Sequence, residues 1–265
     1  MNPFWKSLGL VFLIALLTGL FVRPVEEPAW QWVREREPAL QLESLEDILG
    51  QGVTVGVLGG FRSIAANLLW IKGMEFWKDR DLPGTQTMIR LVTSIDPRPT
   101  FFWMNGARIT ALDMPAWRIR QAGGHDNVPD VVIEEIRREQ NEEAIALLYR
   151  AMAYHPNRPE YPLEIGMIKA RRMDDPEGAL VYYKMASQMP GAPAYAGRIY
   201  GQILRRLGRE QEAYEWLISL YHTLDPELFG HRTDLVRQRI RELEEDLEIP
   251  PGERFRFRGF EEESF

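Results

Sequence analysis

The chain has 265 residues, of which 45% are hydrophobic and 27% are charged, values that are ordinary for a globular protein with a sizeable apolar core. Its net charge of −7 provides no basic surface for nucleic acid, so we expect no nucleic-acid partner. Because the sequence contains no cysteine, disulfides, thiolate zinc sites, cysteine-ligated iron–sulfur clusters and cysteine nucleophiles are excluded.

The N-terminus begins with a long apolar segment. The run Leu8–Val22 is interrupted only by Thr18, and with Pro3–Trp5 included it approaches the ~20 residues that cross a bilayer as a helix. The sequence after it, Arg23–Glu27, lacks the paired small residues that a signal peptidase needs. We therefore predict an uncleaved transmembrane signal anchor over residues 1–23, rather than a cleaved signal peptide or a buried helix.

Charges on the two sides of this segment bear on its orientation. Lys6 and the terminal amine favour a cytoplasmic N-terminus, whereas Arg23, Arg34 and Arg36 lie beyond the span and favour the opposite orientation. The short charged leader resembles an export signal. We therefore expect a single-pass protein of the inner (cytoplasmic) membrane, held through residues 4–22, whose body lies outside the cytoplasm, in the periplasm if the chain is bacterial.

Residues 24–60 are predicted to form a spacer with some structure. Prolines interrupt any continuous helix in its first half, and Leu42–Leu49 then shows helical spacing. The run that follows, Gly50–Phe61, contains five glycines. A phosphate-binding loop would need a Lys-Ser/Thr pair after such a run, within a strand–loop–helix frame, and neither is present. A packed connection into the next element is the preferred interpretation.

Small residues then recur with a period of about 34 residues. The glycines of this pattern, separated by 33, 60 and 35 residues, are Gly73, Gly106, Gly166 and Gly201. The interval of 60 is one period plus an insertion of 26. The alanines, separated by 35 and 34 residues, are Ala144, Ala179 and Ala213. Two antiparallel helices approach closely only where a side chain is small, so we expect Gly on one helix to face Ala on the next.

Prolines stand near the end of each period, at Pro97, Pro156, Pro190 and Pro226. The whole pattern resembles the tetratricopeptide repeat (TPR), a helix–turn–helix unit with small residues where its two helices cross. The resemblance implies an all-α fold: a helical solenoid of about four units over residues 61–226, in which stacking covers the apolar face that a single unit exposes. Members of this family are mainly scaffolds and adaptors that bind protein segments.

The helices of the first unit are predicted at Arg62–Trp77 and Pro83–Ile95, and the second unit starts at Thr100. Its second helix, Ile133–Tyr154, begins only after an insertion at about residues 113–132, which we expect to project as a loop or a short extra helix. The third and fourth units are predicted at Glu160–Gln188 and Ala194–Leu224.

An amphipathic segment follows the repeats. Its apolar residues, with mostly charged residues between them, are Leu235, Val236, Ile240, Leu243 and Leu247. A terminal helix of a repeat array needs one face on the stack and one in water, so we predict a capping helix over residues 227–249 and a tail over residues 250–265.

The resemblance also implies which side chains line the concave surface on which the family binds its partners. Counted from each signature glycine, these side chains are Trp70, Met74 and Trp77 in the first unit, Trp103 in the second, Met167 and Arg171 in the third, and Tyr195, Arg198, Gln202 and Arg205 in the fourth. Such a groove would be apolar at one end and basic at the other. Packing between repeats is the alternative interpretation for Trp70 and Trp103, and a solvated face is the alternative for Arg205.

We therefore predict a membrane-tethered scaffold or adaptor for protein–protein interaction, an accessory or assembly subunit of a cell-envelope complex, that is not an enzyme and uses no cofactor or metal. The four histidines show no metal-ligand spacing. The alternative is an envelope enzyme or ligand-binding protein that uses the Gly-rich insertion, where His125 stands beside the Asp126 carboxylate. A turn-forming Asx motif explains the same residues without chemistry.

Overall fold

A computed structural model describes residues 61–257. The predicted anchor at residues 1–23, the spacer at 24–60 and the tail beyond residue 257 lie outside the described residues. All regular secondary structure within residues 61–257 is helical, which confirms the all-α prediction for this part of the chain. None of these helices is both long enough and apolar enough to span a membrane. The chain divides into two compact units, one ending at Phe102 and the other beginning at Trp103.

The first unit contains a helical hairpin, formed by α1 (Arg62–Asp79) and α2 (Leu82–Ile95). Arg80 ends α1 in the left-handed conformation, with φ of 57°, and the Asp81 carboxylate begins α2 by accepting a hydrogen bond from the Gly84 N–H at 3.1 Å. The hairpin buries small and aliphatic side chains, namely Ala65, Ala66, Leu69, Met88, Leu91, Val92 and Ile95.

A buried carboxylate holds the loop after α2. The Asp96 side chain is only 2% exposed, and it accepts hydrogen bonds from Arg98 Nε at 2.7 Å and Nη2 at 3.1 Å. Burial favours a higher pKa for Asp96, but the hydrogen bonds from Arg98 outweigh it and the pKa is lowered. Because Pro97 prevents α2 from continuing, this ion pair fixes the direction in which the chain leaves the hairpin.

The second unit is a series of helices, in which each helix from α5 onward packs on the next one along the chain. The helices are α3 (Thr100–Arg108), whose first residues belong to the first unit, α4 (Met114–Gln121), α5 (Asp130–Tyr154), α6 (Glu160–Arg172), α7 (Pro176–Ser187), α8 (Ala194–Arg206), α9 (Glu210–Thr223) and α10 (Thr233–Asp246). Short 3₁₀ turns at Phe229–His231 and Pro251–Glu253 flank α10.

The insertion predicted at about residues 113–132 is mostly helical. A π-helical turn, Ile109–Asp113, joins α3 directly to α4, and α5 begins at Asp130, three residues before its predicted start. Residues 122–129 separate α4 from α5, and Gly123 and Gly124 within them have positive φ, 121° and 85°. The insertion therefore contributes a short extra helix, α4, followed by a loop.

Glycine lets the paired helices of the second unit approach closely. A Cβ added to Gly166 on α6 would lie 3.0 Å from the ring of Tyr183 on α7, and one added to Gly201 on α8 would lie 2.8 Å from Leu217 on α9. In both pairs the nearest neighbour is the large residue one turn beyond the predicted alanine. The expectation that glycine faces alanine is thus corrected, because a ring or a leucine fills the space that the missing Cβ leaves.

We expect Gly166→Ala to destabilise the protein by about 1 kcal/mol, because overpacking costs about 1–3 kcal/mol and the higher helix propensity of Ala returns about 1 kcal/mol. The Tyr183 ring is buried and has little room to move. Thermal and denaturant unfolding would measure the change. In a Tyr183→Leu background the same Gly166→Ala change should become neutral or stabilising, and an equal loss in both backgrounds would contradict the close contact.

The helix α10 lies within the segment predicted to cap the repeats. It packs on α9 through Val236, Ile240 and Leu243, all of which are buried, while most of its charged residues remain at least partly exposed. An amphipathic helix at this position is what the sequence pattern requires.

A fully buried carboxylate on α10 binds the tail back to the unit. Glu244 accepts hydrogen bonds from Arg241 Nη1 at 2.6 Å, from the Phe255 N–H at 2.7 Å and from the Tyr214 hydroxyl at 3.2 Å. Phe255 also packs on Tyr221, with ring centroids 5.8 Å apart. One acidic side chain thus connects α9, α10 and the C-terminal tail.

We expect Glu244→Ala to cost about 2 kcal/mol or more, because it leaves buried donors without their acceptor. Loss of amide protection at Phe255, measured by hydrogen exchange, should accompany the lower unfolding temperature. The matched control is Glu245→Ala, next along α10 and exposed, which should change stability little. Similar effects of the two substitutions would contradict the role of Glu244.

Candidate partner-binding cleft

A cleft of about 110 Å³ lies between α8, α9 and α10. Its lining residues are Arg198, Gly201, Gln202, Arg205, Leu217, Leu235, Val236, Arg239 and Leu243. Four of these side chains are aliphatic and three are guanidinium groups, and none of the lining residues within the described part of the chain is acidic. This combination suits a ligand that carries an anionic group beside an apolar one.

The two faces of α8 explain how the cleft forms. Gly197 and Gly201 face α9, where an added Cβ would approach Leu220 or Leu217 to 2.8 Å. This close packing fixes the rotation of α8 about its axis. The adjacent face of the helix is then directed toward α10, and its residues at i, i+4 and i+7 are Arg198, Gln202 and Arg205.

Arg198 is a half-buried cation whose hydrogen bonds go to the backbone. Its Nη1 donates to the carbonyl oxygen of His231 at 2.6 Å and to that of Gly230 at 3.4 Å. Burial lowers the pKa of Arg198 and the positive charge of Arg232 lowers it further, and together they outweigh the negative charge of Asp234, which raises it. Within residues 61–257 no carboxylate forms an ion pair with Arg198. A partly desolvated cation in this state favours the binding of an anion.

Arg205 differs from Arg198 because α10 supplies its anions. Its Nη1 lies 2.5 Å from Glu242 Oε2 and its Nη2 lies 2.7 Å from Asp246 Oδ2. The hydrogen bond that Arg205 donates to Glu242 is the main cause that raises the pKa of Arg205. Arg239, which was not predicted from the repeat register, also donates to Glu242, at 3.0 Å. Two arginines of the cleft thus share Glu242 of α10.

The three predicted groove residues of the first unit lie on α1. Trp70 is half-buried and packs on Phe101 and Phe102, with ring centroids 5.4 and 5.6 Å apart, which agrees with its packing interpretation. Met74 and Trp77 are 37% and 36% exposed. Partner binding by these side chains stays a prediction.

Trp103 belongs to the core of the second unit. Its side chain is 2% exposed, and it packs on the ring of Tyr154 with centroids 5.7 Å apart, while the guanidinium of Arg150 lies 5.8 Å from its ring. The groove assignment of Trp103 is therefore corrected in favour of packing. A side chain buried to this extent presents no surface to a partner.

The remaining predicted residues, on α6 and at the start of α8, do not line the cleft. Met167 is half-buried, Arg171 is exposed and Tyr195 is 46% exposed. The repeat register therefore placed several side chains on accessible surface, and three of those in the fourth unit, Arg198, Gln202 and Arg205, line the cleft.

An ion pair between α3 and α6 was missed from the sequence. Glu164, whose side chain is 6% exposed, accepts hydrogen bonds from Arg108 Nε at 3.0 Å and Nη2 at 2.8 Å. The two residues are 56 positions apart, so no local pattern relates them. The hydrogen bond to Glu164 raises the pKa of Arg108, and the bidentate geometry fixes the register between these two helices.

The turn around His125, the basis of the alternative enzymatic prediction, is exposed. His125 and Asp126 both face solvent, and Asn127 Nδ2 donates to the Gly123 carbonyl oxygen at 2.9 Å, four residues earlier in the turn. Within residues 61–257 no three His, Asp or Glu side chains gather closely enough to hold a metal ion.

We expect Arg205→Ala to destabilise the docking of α10 by about 1 kcal/mol, because a partly exposed pair of ion pairs is lost. Its neighbour on α8, Arg206, is 64% exposed and lies 3.6 Å from Asp174, so Arg206→Ala should be close to neutral. Denaturant unfolding of the two variants would measure the difference. A larger loss for Arg206→Ala would contradict the assignment.

The effect of Arg205→Ala should also depend on pH. Burial favours a higher pKa for Glu242, but hydrogen bonds from Arg205 and Gln238 outweigh it, so its folded-state pKa lies below the ordinary value of 4.5. A carboxylate with a lowered pKa stabilises the fold above pH 4.5 and loses this contribution as the pH falls below that value. The stability difference between Arg205→Ala and the unchanged chain should therefore shrink in acid.

No protein-family model matches the sequence, and no curated protein is significantly similar to it.

Proposed function

We propose that the protein is a membrane-tethered scaffold or adaptor, an accessory or assembly subunit of a cell-envelope complex, which binds a segment of a protein partner in the cleft beside α8. One observation carries the proposal. Arg198, Gln202 and Arg205, selected from the repeat register, line the same cavity. Three residues chosen because they should lie on a binding surface thus lie around one cavity.

The TPR-like solenoid is part of this proposal. The packing of consecutive helices supports it, as does the repetition of one glycine contact in two helix pairs, Gly166 with Tyr183 and Gly201 with Leu217. The membrane tether and the extracytoplasmic location of the body rest on the apolar run at residues 4–22 and on the leader before it.

The cleft favours a partner segment of defined chemistry. Arg198 offers Nε–H and Nη2–H groups that make no hydrogen bond within residues 61–257, and these donors match a carboxylate. Leu217, Leu235 and Leu243 provide an apolar wall next to that cation. The volume of about 110 Å³ suits one aliphatic side chain. We therefore propose that the partner segment places an acidic residue beside an aliphatic one.

Photo-crosslinking in membranes from the native organism tests this function. A photoreactive residue at Gln202, which is exposed and lines the cleft, should capture one specific protein. The same residue at Gln211, which is exposed on α9 outside the cleft, is the matched control. Arg198→Glu should reduce the crosslink at least about tenfold because it reverses the charge that orients the acidic segment.

Arg206→Glu reverses a charge on the same helix away from the cleft, so it should leave the crosslink unchanged. Circular dichroism of both variants would show that helicity is retained. Equal capture at the two glutamine positions, or capture that ignores Arg198→Glu in a folded variant, would refute a partner site in the cleft.

A further inference from the structure

The turn between α9 and α10, residues 225–232, exposes two adjacent apolar side chains. Phe229 is 87% exposed, more than any other large apolar side chain that the structure describes, and Leu228 is 53% exposed. A single exposed apolar residue is ordinary on a protein surface, whereas neighbouring ones form a contact surface. We call Leu228 and Phe229 the apolar pair.

Hydrogen bonds within the turn hold it in one conformation. The Asp225 N–H donates to His231 Nδ1 at 2.7 Å, and the His231 N–H donates to the Leu228 carbonyl oxygen at 2.9 Å. The Glu227 N–H donates to the Asp225 carboxylate at 2.9 Å. Arg232 then adopts the left-handed conformation, with φ of 45°, before α10 begins. Because the turn is already ordered, a partner that contacts the apolar pair loses little conformational entropy there.

The turn is also joined to the cleft. The guanidinium of Arg198, which lines the cleft, donates to the carbonyl oxygens of Gly230 and His231 at 3.4 and 2.6 Å. The distance from Arg198 Nη1 to the Phe229 Cα is therefore at most ~10 Å, since consecutive Cα atoms are ~3.8 Å apart. An extended chain covers ~10 Å in about three residues. One bound segment is thus long enough to contact both Arg198 and the apolar pair.

We propose that the apolar pair is a second contact for the partner segment of the cleft, and that it receives an aromatic side chain about three positions from the acidic residue of that segment. This inference rests on the proposed function, because the acidic residue at Arg198 determines where the segment lies. The Arg232 guanidinium lies 5.9 Å from the centroid of the Phe229 ring and leaves most of that ring in water. An aromatic partner suits such a ring because rings in edge-to-face or offset contact gain more than their apolar area provides.

Size and charge favour a protein segment over other molecules at this turn. Two side chains bury far less than the ~1,200 Å² of a stable interface between proteins, so a second copy of the chain is disfavoured. Asp225 and Glu227, both exposed, precede the apolar pair, and their negative charge disfavours an anionic lipid surface. A segment that is already held at Arg198 gains affinity from one further contact, because the effective concentration at the turn is high.

Binding of synthetic peptides to the full chain, measured by fluorescence anisotropy, tests the second contact. The labelled peptides Ser-Leu-Glu-Ser-Ser-Phe-Ser and Ser-Phe-Ser-Ser-Glu-Leu-Ser, with blocked ends, place phenylalanine three positions after or before the glutamate. The reference peptides carry alanine in place of phenylalanine. In at least one order, phenylalanine should strengthen binding about tenfold, as expected for an aromatic anchor.

Phe229→Ala should reduce this gain to less than about twofold, because the ring that receives the aromatic side chain is removed. The matched control is Val181→Ala, a substitution of an apolar residue on α7 that is 58% exposed, and it should retain the full gain. Circular dichroism of both variants would show that helicity is retained. A gain that persists in folded Phe229→Ala would overturn the inference.

The remaining outcomes separate this inference from the proposed function. If the alanine peptides bind and phenylalanine adds nothing in either order, the second contact fails and the cleft remains a binding site. If no peptide binds, both fail. A photoreactive phenylalanine in the tighter peptide should crosslink to residues 228–232, identified by mass spectrometry, and crosslinks confined to other positions would also overturn the second contact.

Discussion

The close approach of paired helices at glycine is the constraint on which the second unit depends. Where a Cβ is missing, as at Gly166 and Gly201, a large side chain of the next helix lies almost against the backbone. Such a contact fixes both the spacing of two helices and the rotation of each about its axis. The rotation of α8 in turn determines where its remaining side chains point.

The position of the cleft is one result of this constraint. Once Gly201 is held against Leu217, Arg198 and Arg205 of α8 are directed toward the cleft beside α10 and away from the core of the unit. The carboxylates of α10 then satisfy Arg205, while Arg198 reaches only backbone carbonyl groups. Packing of small residues thus determines that, within residues 61–257, Arg205 is paired with carboxylates and Arg198 is not.

The sequence pattern predicted the features that depend on local periodicity. The helical nature of residues 61–257, the pairing of helices at glycine and the amphipathic helix α10 all follow from spacings that can be read along the chain. These features needed only the period of one helix and the period of one repeat. The cleft residues Arg198, Gln202 and Arg205 came from the resemblance, through the positions that line the groove in the tetratricopeptide repeat family.

Other features depend on contacts that no local pattern encodes. The pair Arg108–Glu164 joins positions 56 residues apart, and the burial of Trp103 depends on which helices surround it. The predicted neighbours of Gly166 and Gly201 were wrong by one turn. A larger side chain four residues after each predicted alanine fills the space beside the glycine, and the sequence period does not distinguish the two positions. The insertion became helix because a π turn, which adds one residue to a helical turn, let α3 continue into α4.

The ion pairs of Arg205 have a thermodynamic consequence for the two ends of α8. A carboxylate that enters the cleft and binds Arg205 must compete with Glu242 and Asp246, whereas one that binds Arg198 displaces only backbone acceptors. Occupancy near Arg205 therefore loosens the last helix, and by reciprocity anything that tightens that helix weakens a ligand at this end. An acidic segment in the cleft would therefore compete with α10 for the guanidinium group of Arg205.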